Sequence, residues 1–270
     1  MQLRGIQATD TRIATTAIIA DEVDIRVRGI FEVGERSHIG PNTIIRGNNI
    51  RFGADVYVSG GLVVGGGGNE EPTANFSAGN RCVLHDNFIN VCERVTMGDD
   101  VGLSPGVAII THGFWNNVLQ GHPRKVAPVI IEDGVIVGFR SILLPGVVIG
   151  RESVIGAGSV VAKPIEARWI AGGNPCRPLK QIVPPSPSEQ LAIAQRFVEE
   201  YLGLARERGF NQPVELAFPW VKVDTTLFNL LSGEWHGQES RSTDHFRDCA
   251  RKWGFRFYTS RPFGSWREGA

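Results

Sequence analysis

Residues 131–161 read IEDGVIVGFRSILLPGVVIGRESVIGAGSVV and keep strict time. Counting by six from Ile131 lands on Val137, Leu143, Ile149, Ile155 and Val161, all aliphatic. The next residue is often small, as at Gly138, Gly150, Gly156 and Ala162. Four positions on comes another small or aliphatic residue: Val135, Ser141, Val147, Ser153 and Ser159. The same clock runs earlier through Met97, Leu103 and Ile109. Near the start it runs through Ile13, Ile19, Ile25 and Phe31, then re-phases to Val33, Ile39 and Ile45. A six-residue period fits neither a lone amphipathic helix nor an alternating strand. It fits short strands joined by tight turns, one strand and turn per repeat. A single such strand cannot bury its aliphatic face. Stacked coils can, each aliphatic residue resting on its equivalent in the next coil at a strand spacing of roughly 4.8 Å. The small residue beside it is expected to let the chain turn the corner. Six in-phase aliphatic positions set this reading ahead of a β-sandwich with accidental periodicity. The expected fold is mainly β, a parallel β-helix of hexapeptide repeats.

Composition narrows the function. Lys and Arg total 28 of the 270 residues, and so do Asp and Glu, so the formal net charge is zero. That excludes the basic excess of a general nucleic-acid or membrane-surface binder. No apolar stretch is long enough for a membrane span. The opening MQLRGIQATDTRIATTAIIADEV lacks a charged head followed by an apolar block, so no signal peptide is expected. Cys82, Cys92, Cys176 and Cys249 are scattered without a C-x-x-C pair and read as reduced thiols of a cytoplasmic protein.

Two stretches interrupt the repeat. The first, SGGLVVGGGGNEEPTANFSAGN (59–80), holds four consecutive glycines, Gly65 to Gly68. No Gly-Lys-Ser/Thr follows, so a phosphate-binding P-loop is not supported, and a flexible insertion on a coil corner is expected. The second is the outgrowth at 110–128, within IITHGFWNNVLQGHPRKV (109–126), with His112, Trp115, His122, Arg124 and Lys125. A repeat protein that breaks its rhythm usually places function in the outgrowth.

VGFRSILLPGVVIGRESVIGAGSVVAKPI (137–165), followed by AGGNPCRPLK (171–180), resembles the hexapeptide-repeat acyltransferases. IGAGSVV with a downstream Gly-Asn-Pro is specific to that superfamily and much less specific for one acceptor. The resemblance covers the repeat and the tail motif, up to about residue 180. It implies a left-handed β-helix, a hand the period alone does not give. It implies acetyl-CoA as co-substrate, no metal, and a homotrimer with the donor between subunits. The acceptor would be a sugar, nucleotide sugar or polysaccharide precursor, acetylated on a hydroxyl or an amine.

The resemblance also implies residues. His112 matches the general base, and an imidazole with an ordinary pKa near 6.5 suits that task. His122 is the rival in the same loop, with a structural or acceptor-contacting place. By its own chemistry, apart from the resemblance, Trp115 could stack on a sugar ring or pack at an interface. Arg124 and Lys125 would meet phosphates or solvent. Gly138, Ala157 and Gly158 match small positions along the pantetheine arm, and Lys163 and Arg177 match cations at the nucleotide end. For the acceptor, a gapless match from the MGDD turn points to Asp86, and the local Phe-Ile-Asn pattern points to Asn90. A structural asparagine ladder is the alternative for that stretch. Cys176 has no base paired with it and reads as packing.

The organisation expected is a β-helix domain over 1–184 and a C-terminal helix with a small α+β appendage over 185–270. After the linker VPPSPS (183–188), SEQLAIAQRFVEEYLGLARERG reads as an amphipathic helix capped by Ser186 or Ser188 and stopped at Gly209. Two strands, a helix at STDHFRDCARKWG and a short strand at FRFYT (255–259) are expected to follow. Arg247, Arg251, Lys252 and Arg256 read as a solvated face, and His236 and His245 as surface or packing residues. Two other functions fit a β-helix. A non-catalytic assembly module would keep the coils and lose the base. A γ-type carbonic anhydrase needs three histidines on zinc, and the spacing of His85, His112 and His122 does not give that pattern.

Overall fold

Three sheets of eight, seven and nine strands carry the first part of the chain. The structure is a computed structural model and describes residues 5–261. The chain divides into two compact units, Met1–Val183 and Pro184–Ala270. In the first unit the chain visits the three sheets in rotation, and each strand pairs in parallel with its equivalents in the coils on either side. Within these three sheets the exception is Arg177–Gln181, which folds back antiparallel on Trp169–Gly172. The unit is a parallel β-helix.

The six-residue count is the rotation itself. Ile131 lies in the second sheet, Val137 in the third and Leu143 in the first, and each stacks on the residue one coil on: Ile149, Ile155 and Val161. All six are at most 1% exposed. Removing such a side chain down to alanine costs about 2–5 kcal/mol in a filled core. Val135, Ser141, Val147, Ser153 and Ser159 are also fully buried. Two of the serines donate across coils, Ser141 Oγ to the Gly156 carbonyl at 3.0 Å and Ser153 Oγ to the Glu166 carbonyl at 2.8 Å, and Ser159 Oγ donates within its own turn to the Gly156 carbonyl at 2.5 Å. Ile13, counted in the same series, is 38% exposed because its strand, Asp10–Ile13, ends the second sheet and is covered on one side only.

The glycines do a different job from the one expected. The left-handed corners fall at other positions and are shared between glycine and other residues: Gly134, Gly146 and Gly158 have φ +69°, +82° and +67°, and Arg140 and Glu152 have +54° and +57°. Gly138 has no positive φ; a β-carbon there would lie 2.6 Å from the Ala157 nitrogen and 2.7 Å from the Ile155 carbonyl oxygen. It is small because the next coil crosses directly over it.

The first interruption is narrower than its composition suggests. Val63–Gly65 belongs to the first sheet and Phe76–Ala78 to the second, so only residues 66–75 leave the coil. The second leaves after Ala108–Ile109 and returns at Val129–Ile131. Its base is a short antiparallel ribbon pairing His112–Gly113 with Lys125–Val126.

The second unit starts with helix α1, Pro187–Glu207. Ser186 is its cap, in a capping box with Glu189, and Gly209 follows at φ +77°. Four antiparallel strands come next where two were expected: Val214–Ala217, Trp220–Val223, Thr226–Asn229 and Trp235–His236. Helix α2 spans Arg241–Arg251. FRFYT forms no strand; its backbone serves side chains instead, Phe257 O accepting from Arg247 Nε at 2.8 Å and Tyr258 O from Trp235 Nε1 at 2.9 Å. Arg247 is therefore not on a solvated face. It is 2% exposed, and it also donates to the Arg261 carbonyl and pairs with Asp244. Among the described residues no helix is long and apolar enough to cross a membrane.

Candidate active site

Both outgrowths leave the β-helix at the same corner, where the first sheet hands over to the second. Gly65 pairs with Asn90, and Ile89 pairs with Ile109, so the strands before residues 66, 91 and 110 belong to three successive coils. Residues 66–75 and 110–128 thus flank one short corner, Val91–Arg94.

Asn90 lies at the centre of this corner and is 1% exposed. Its Nδ2 donates to the Gly65 carbonyl at 3.1 Å and the Gly67 carbonyl at 3.0 Å. Carbonyls only accept, so the amide can face only one way, and Oδ1 must point toward the second outgrowth. There it accepts from Thr111 Oγ1 at 2.6 Å and from the Thr111 N–H at 3.3 Å. It also lies 2.8 Å from His112 Nδ1. An amide oxygen has no proton to give, so Nδ1 of His112 carries the hydrogen and Nε2 is left as the acceptor.

The free edge of that ring faces the glycine loop. A β-carbon on Gly67 would lie 3.5 Å from both Nε2 and Cε1 of His112. At Gly66, φ +86°, it would meet Asn90 Nδ2 at 2.9 Å, and Gly68, φ +79°, leaves no room for one against Cys92. The consecutive glycines therefore let a loop fold flat over Asn90 and border His112. On the ribbon side, Phe114 packs on His112 with ring centroids 5.0 Å apart, and the Arg124 guanidinium lies 5.9 Å from the Phe114 centroid.

Asn90 and His112 are the two sequence-nominated residues that the structure joins. Asn90 was nominated to contact an acceptor; it is instead buried and bonded to the base candidate. Asp86 lies at the other end of the first-sheet strand, exposed, accepting from the Gly106 N–H at 3.1 Å. Gly138, Ala157 and Gly158 share that corner, where the third sheet hands over to the first. Gly158 has φ +67° and donates its N–H to the Phe139 carbonyl at 2.8 Å. Lys163 is exposed on the same corner as His112, in the coil that stacks through Ile109, Leu143 and Val161. Arg177 opens the last strand of the third sheet. Trp115 is 95% exposed on the ribbon, and His122 is exposed with it. Thr111 and Gly65–Gly67 belong to the site without having been nominated. The glycine run was the signal for the second of these.

Other chemistries find less support. All four cysteines are free and buried, and burial pushes their thiols up, Cys82 to about 12, which makes poor nucleophiles. His85, at the Asp86 corner, is 3.0 Å from Ser59 Oγ through Nδ1, and burial lowers its pKa. Among the described residues, no three His, Cys, Asp or Glu side chains gather to hold a metal ion.

Residues 128–163 match the bacterial transferase hexapeptide family of six repeats. The chain is 28% identical over 165 residues to a galactoside O-acetyltransferase of Escherichia coli, covering 58% of this chain and 79% of that protein. It is 32% identical over 163 residues to the galactoside O-acetyltransferase of Lactococcus lactis, covering 60% of this chain and 68% of the relative. Among solved structures, a galactoside acetyltransferase in complex with coenzyme A aligns at 26% identity and TM-score 0.34, over 56% of this chain and 64% of that one. The matched length, the repeat and the coil stacking agree, and the chain belongs to the hexapeptide-repeat acyltransferase family.

Proposed function

We propose that this chain moves the acetyl group of acetyl-CoA onto a hydroxyl or amine of a sugar, nucleotide sugar or polysaccharide precursor, with His112 as general base. The observation that carries the reading is the Asn90–His112 hydrogen bond, which leaves Nε2 unprotonated at the open edge of the ring. The acceptor's O–H or N–H gives its proton to Nε2 as its heteroatom bonds to the thioester carbonyl carbon. The carbonyl electron pair moves onto oxygen and makes a tetrahedral oxyanion. On collapse the C–S bond breaks, and the departing sulfur takes the proton back from Nε2. No acyl-enzyme forms in this scheme, in keeping with four buried cysteines whose thiols are held protonated.

Asn90 acts through His112 as a positioning residue, and Asp86 and Trp115 are the acceptor contacts. The donor runs past Gly138, Ala157 and Gly158, with Lys163 and Arg177 meeting its phosphates. Within one chain the three small residues lie at the far end of the first sheet from His112. A groove closed by a second copy in a homotrimer joins the two ends. The relatives named for galactoside O-acetylation support a sugar hydroxyl as the acceptor. Reduced thiols support a cytoplasmic setting.

The test is His112→Ala, assayed by coenzyme A release with acetyl-CoA and a panel of galactosides. Turnover should fall about 10²- to 10⁴-fold while acetyl-CoA affinity by calorimetry changes little. Turnover retained in the variant would assign the base elsewhere.

A further inference from the structure

The outward column of the first sheet that ends at Asn90 is cationic on the earlier coils. Its register runs Gln7, Arg26, Arg46, then Gly65 and Asn90. Gly65 stands above Arg46: a β-carbon there would lie 3.1 Å from the Arg46 β-carbon. The step between the arginines and the His112 corner therefore carries no side chain. Equivalent residues rise roughly 4.8 Å per coil, which places the Arg46 backbone about 10 Å and the Arg26 backbone about 14 Å from Asn90 along the axis. A groove of about 570 Å³ lies at the arginine end of this column, lined by Arg26, Arg28, Arg46, Gly47, Asn69 and Glu70. Asn69 and Glu70 belong to the same glycine outgrowth that borders His112, so one loop walls both places.

The arginines are held rather than free to sway. Arg46 donates to the carbonyls of Asp24 at 2.7 Å and Ile45 at 2.9 Å and pairs with the Asp24 carboxylate at 2.5 Å. Arg26 shares that carboxylate at 3.2 Å, and Arg28 donates to the Glu71 carbonyl at 2.9 Å. A plain solvated ladder would pair each cation with its own acid. Here Arg26 and Arg46 share one carboxylate, Asp24, while Arg28 is bonded to a carbonyl, and each is a planar fork suited to oxyanions.

We propose that this groove is the subsite for an anionic part of the acceptor, a phosphate or carboxylate carried beyond the sugar whose group is acetylated. The inference rests on His112 as the base and deepens that reading. The acceptor class becomes an acidic saccharide or a sugar bearing a phosphate or diphosphate, rather than a neutral galactoside.

The experiment measures kcat/KM with acetyl-CoA for galactose, galactose 6-phosphate, galacturonate and UDP-galactose, in the full chain and in Arg26→Gln and Arg46→Gln. An anionic acceptor should exceed galactose by about tenfold or more, and that ratio should fall about tenfold in either variant and with added salt. Which of the three leads separates phosphate, carboxylate and diphosphate sources. Equal use of galactose, or a ratio unmoved by both variants, overturns the subsite and leaves the acetyltransferase reading intact. If no acceptor is acetylated, that reading fails, and calorimetry with inorganic pyrophosphate decides the subsite separately: binding abolished in both variants supports it, and no binding to the wild-type chain overturns it. Light scattering is run alongside, since variants that dissociate an oligomer would make the column a contact between copies and overturn the proposal.

Discussion

Asn90→Ala separates a positioning residue from a merely structural one. The substitution removes the donor to the Gly67 carbonyl and the acceptor for the N–H groups of Thr111 and Cys92. The Gly65 carbonyl keeps a partner, the Val91 N–H at 3.1 Å, and the Thr111 hydroxyl can turn to the Asn90 backbone oxygen at 3.2 Å. A buried polar group left unpaired costs about 1–3 kcal/mol, and the two N–H bonds, at 3.3 and 3.4 Å, belong at the low end of that range. The sum is about 3 kcal/mol, or roughly 6–12 °C in melting temperature for a unit of this size. The chemistry suffers separately. Without the 2.8 Å contact at Nδ1, the His112 ring is free to rotate and to carry its proton on Nε2, the wrong atom for a base. Turnover should fall about 10²-fold with acetyl-CoA affinity preserved, less than for loss of the imidazole itself.

Thr111→Val is the control. It removes the 2.6 Å bond to Asn90 Oδ1 and the acceptor for the Glu93 N–H, but leaves the oxygen that faces Nδ1. It should lower the melting temperature by several degrees and turnover by no more than about threefold. The assay is kcat and KM for both substrates, acetyl-CoA affinity by calorimetry and thermal melting, on both variants. Near-wild-type turnover in Asn90→Ala would refute the reasoning. So would an equal loss in Thr111→Val, which would make the effect one of fold rather than of tautomer.

Gly66→Ala forces a side chain into φ +86° and against Asn90 Nδ2, so turnover and melting temperature should both drop, whereas Gly67→Ala meets only ordinary contact with His112 at 3.5 Å and should shift stability by about 0.5 kcal/mol or less, as melting curves would register. Arg247→Ala leaves the Phe257 and Arg261 carbonyls without that donor and Asp244 without that cation, and should cost the second unit about 3–5 kcal/mol by denaturant titration. His245 is 7% exposed with Nδ1 unpartnered, and burial, then Arg208, lowers its pKa. The unfolded chain then takes up the proton at higher pH than the folded one. The contribution is full above the ordinary value near 6.5 and is lost as pH falls from there toward the depressed native value. Amide exchange of helix α2 should quicken across that window, and His245→Phe should remove the quickening.

The parts of the fold legible in the sequence are those where chain distance and coil distance coincide. From Ile131 to Val161 no coil carries an insertion, so residues 18 apart are stacked neighbours, as Ile131 and Ile149 are. Nearer the start the count slips by two because Phe31 and Val33 both point inward from the four-residue strand Ile30–Val33, an alternation that a six-step cannot represent. The glycine run was legible as an outgrowth but not in extent, since Val63 and Val64 between glycines look like linker until their pairing with Phe88 and Ile89 is known. Arg247 misled for a related reason. Helical spacing shows which face it is on, but not that the backbone of 255–261 covers that face.

His112 could be nominated from its place in a loop, whereas the work of Asn90 could not. Its partners are 22 residues ahead, in His112, and 23 to 25 behind, in Gly67 and Gly65. Neither separation is a repeat of the period. The rule that joins them is geometric: an outgrowth matters to another when both leave the same corner on nearby coils. Gly65, Asn90 and Ile109 each end a first-sheet strand, in three successive coils. Once the coil phase is carried through both interruptions, the three strand ends meet at one corner, Gly65 paired with Asn90 and Ile89 with Ile109. The side chain in the middle coil is then the one placed to bond both loops, and an amide, with donors on one side and an acceptor on the other, is suited to hold a carbonyl loop with one arm and an imidazole with the other.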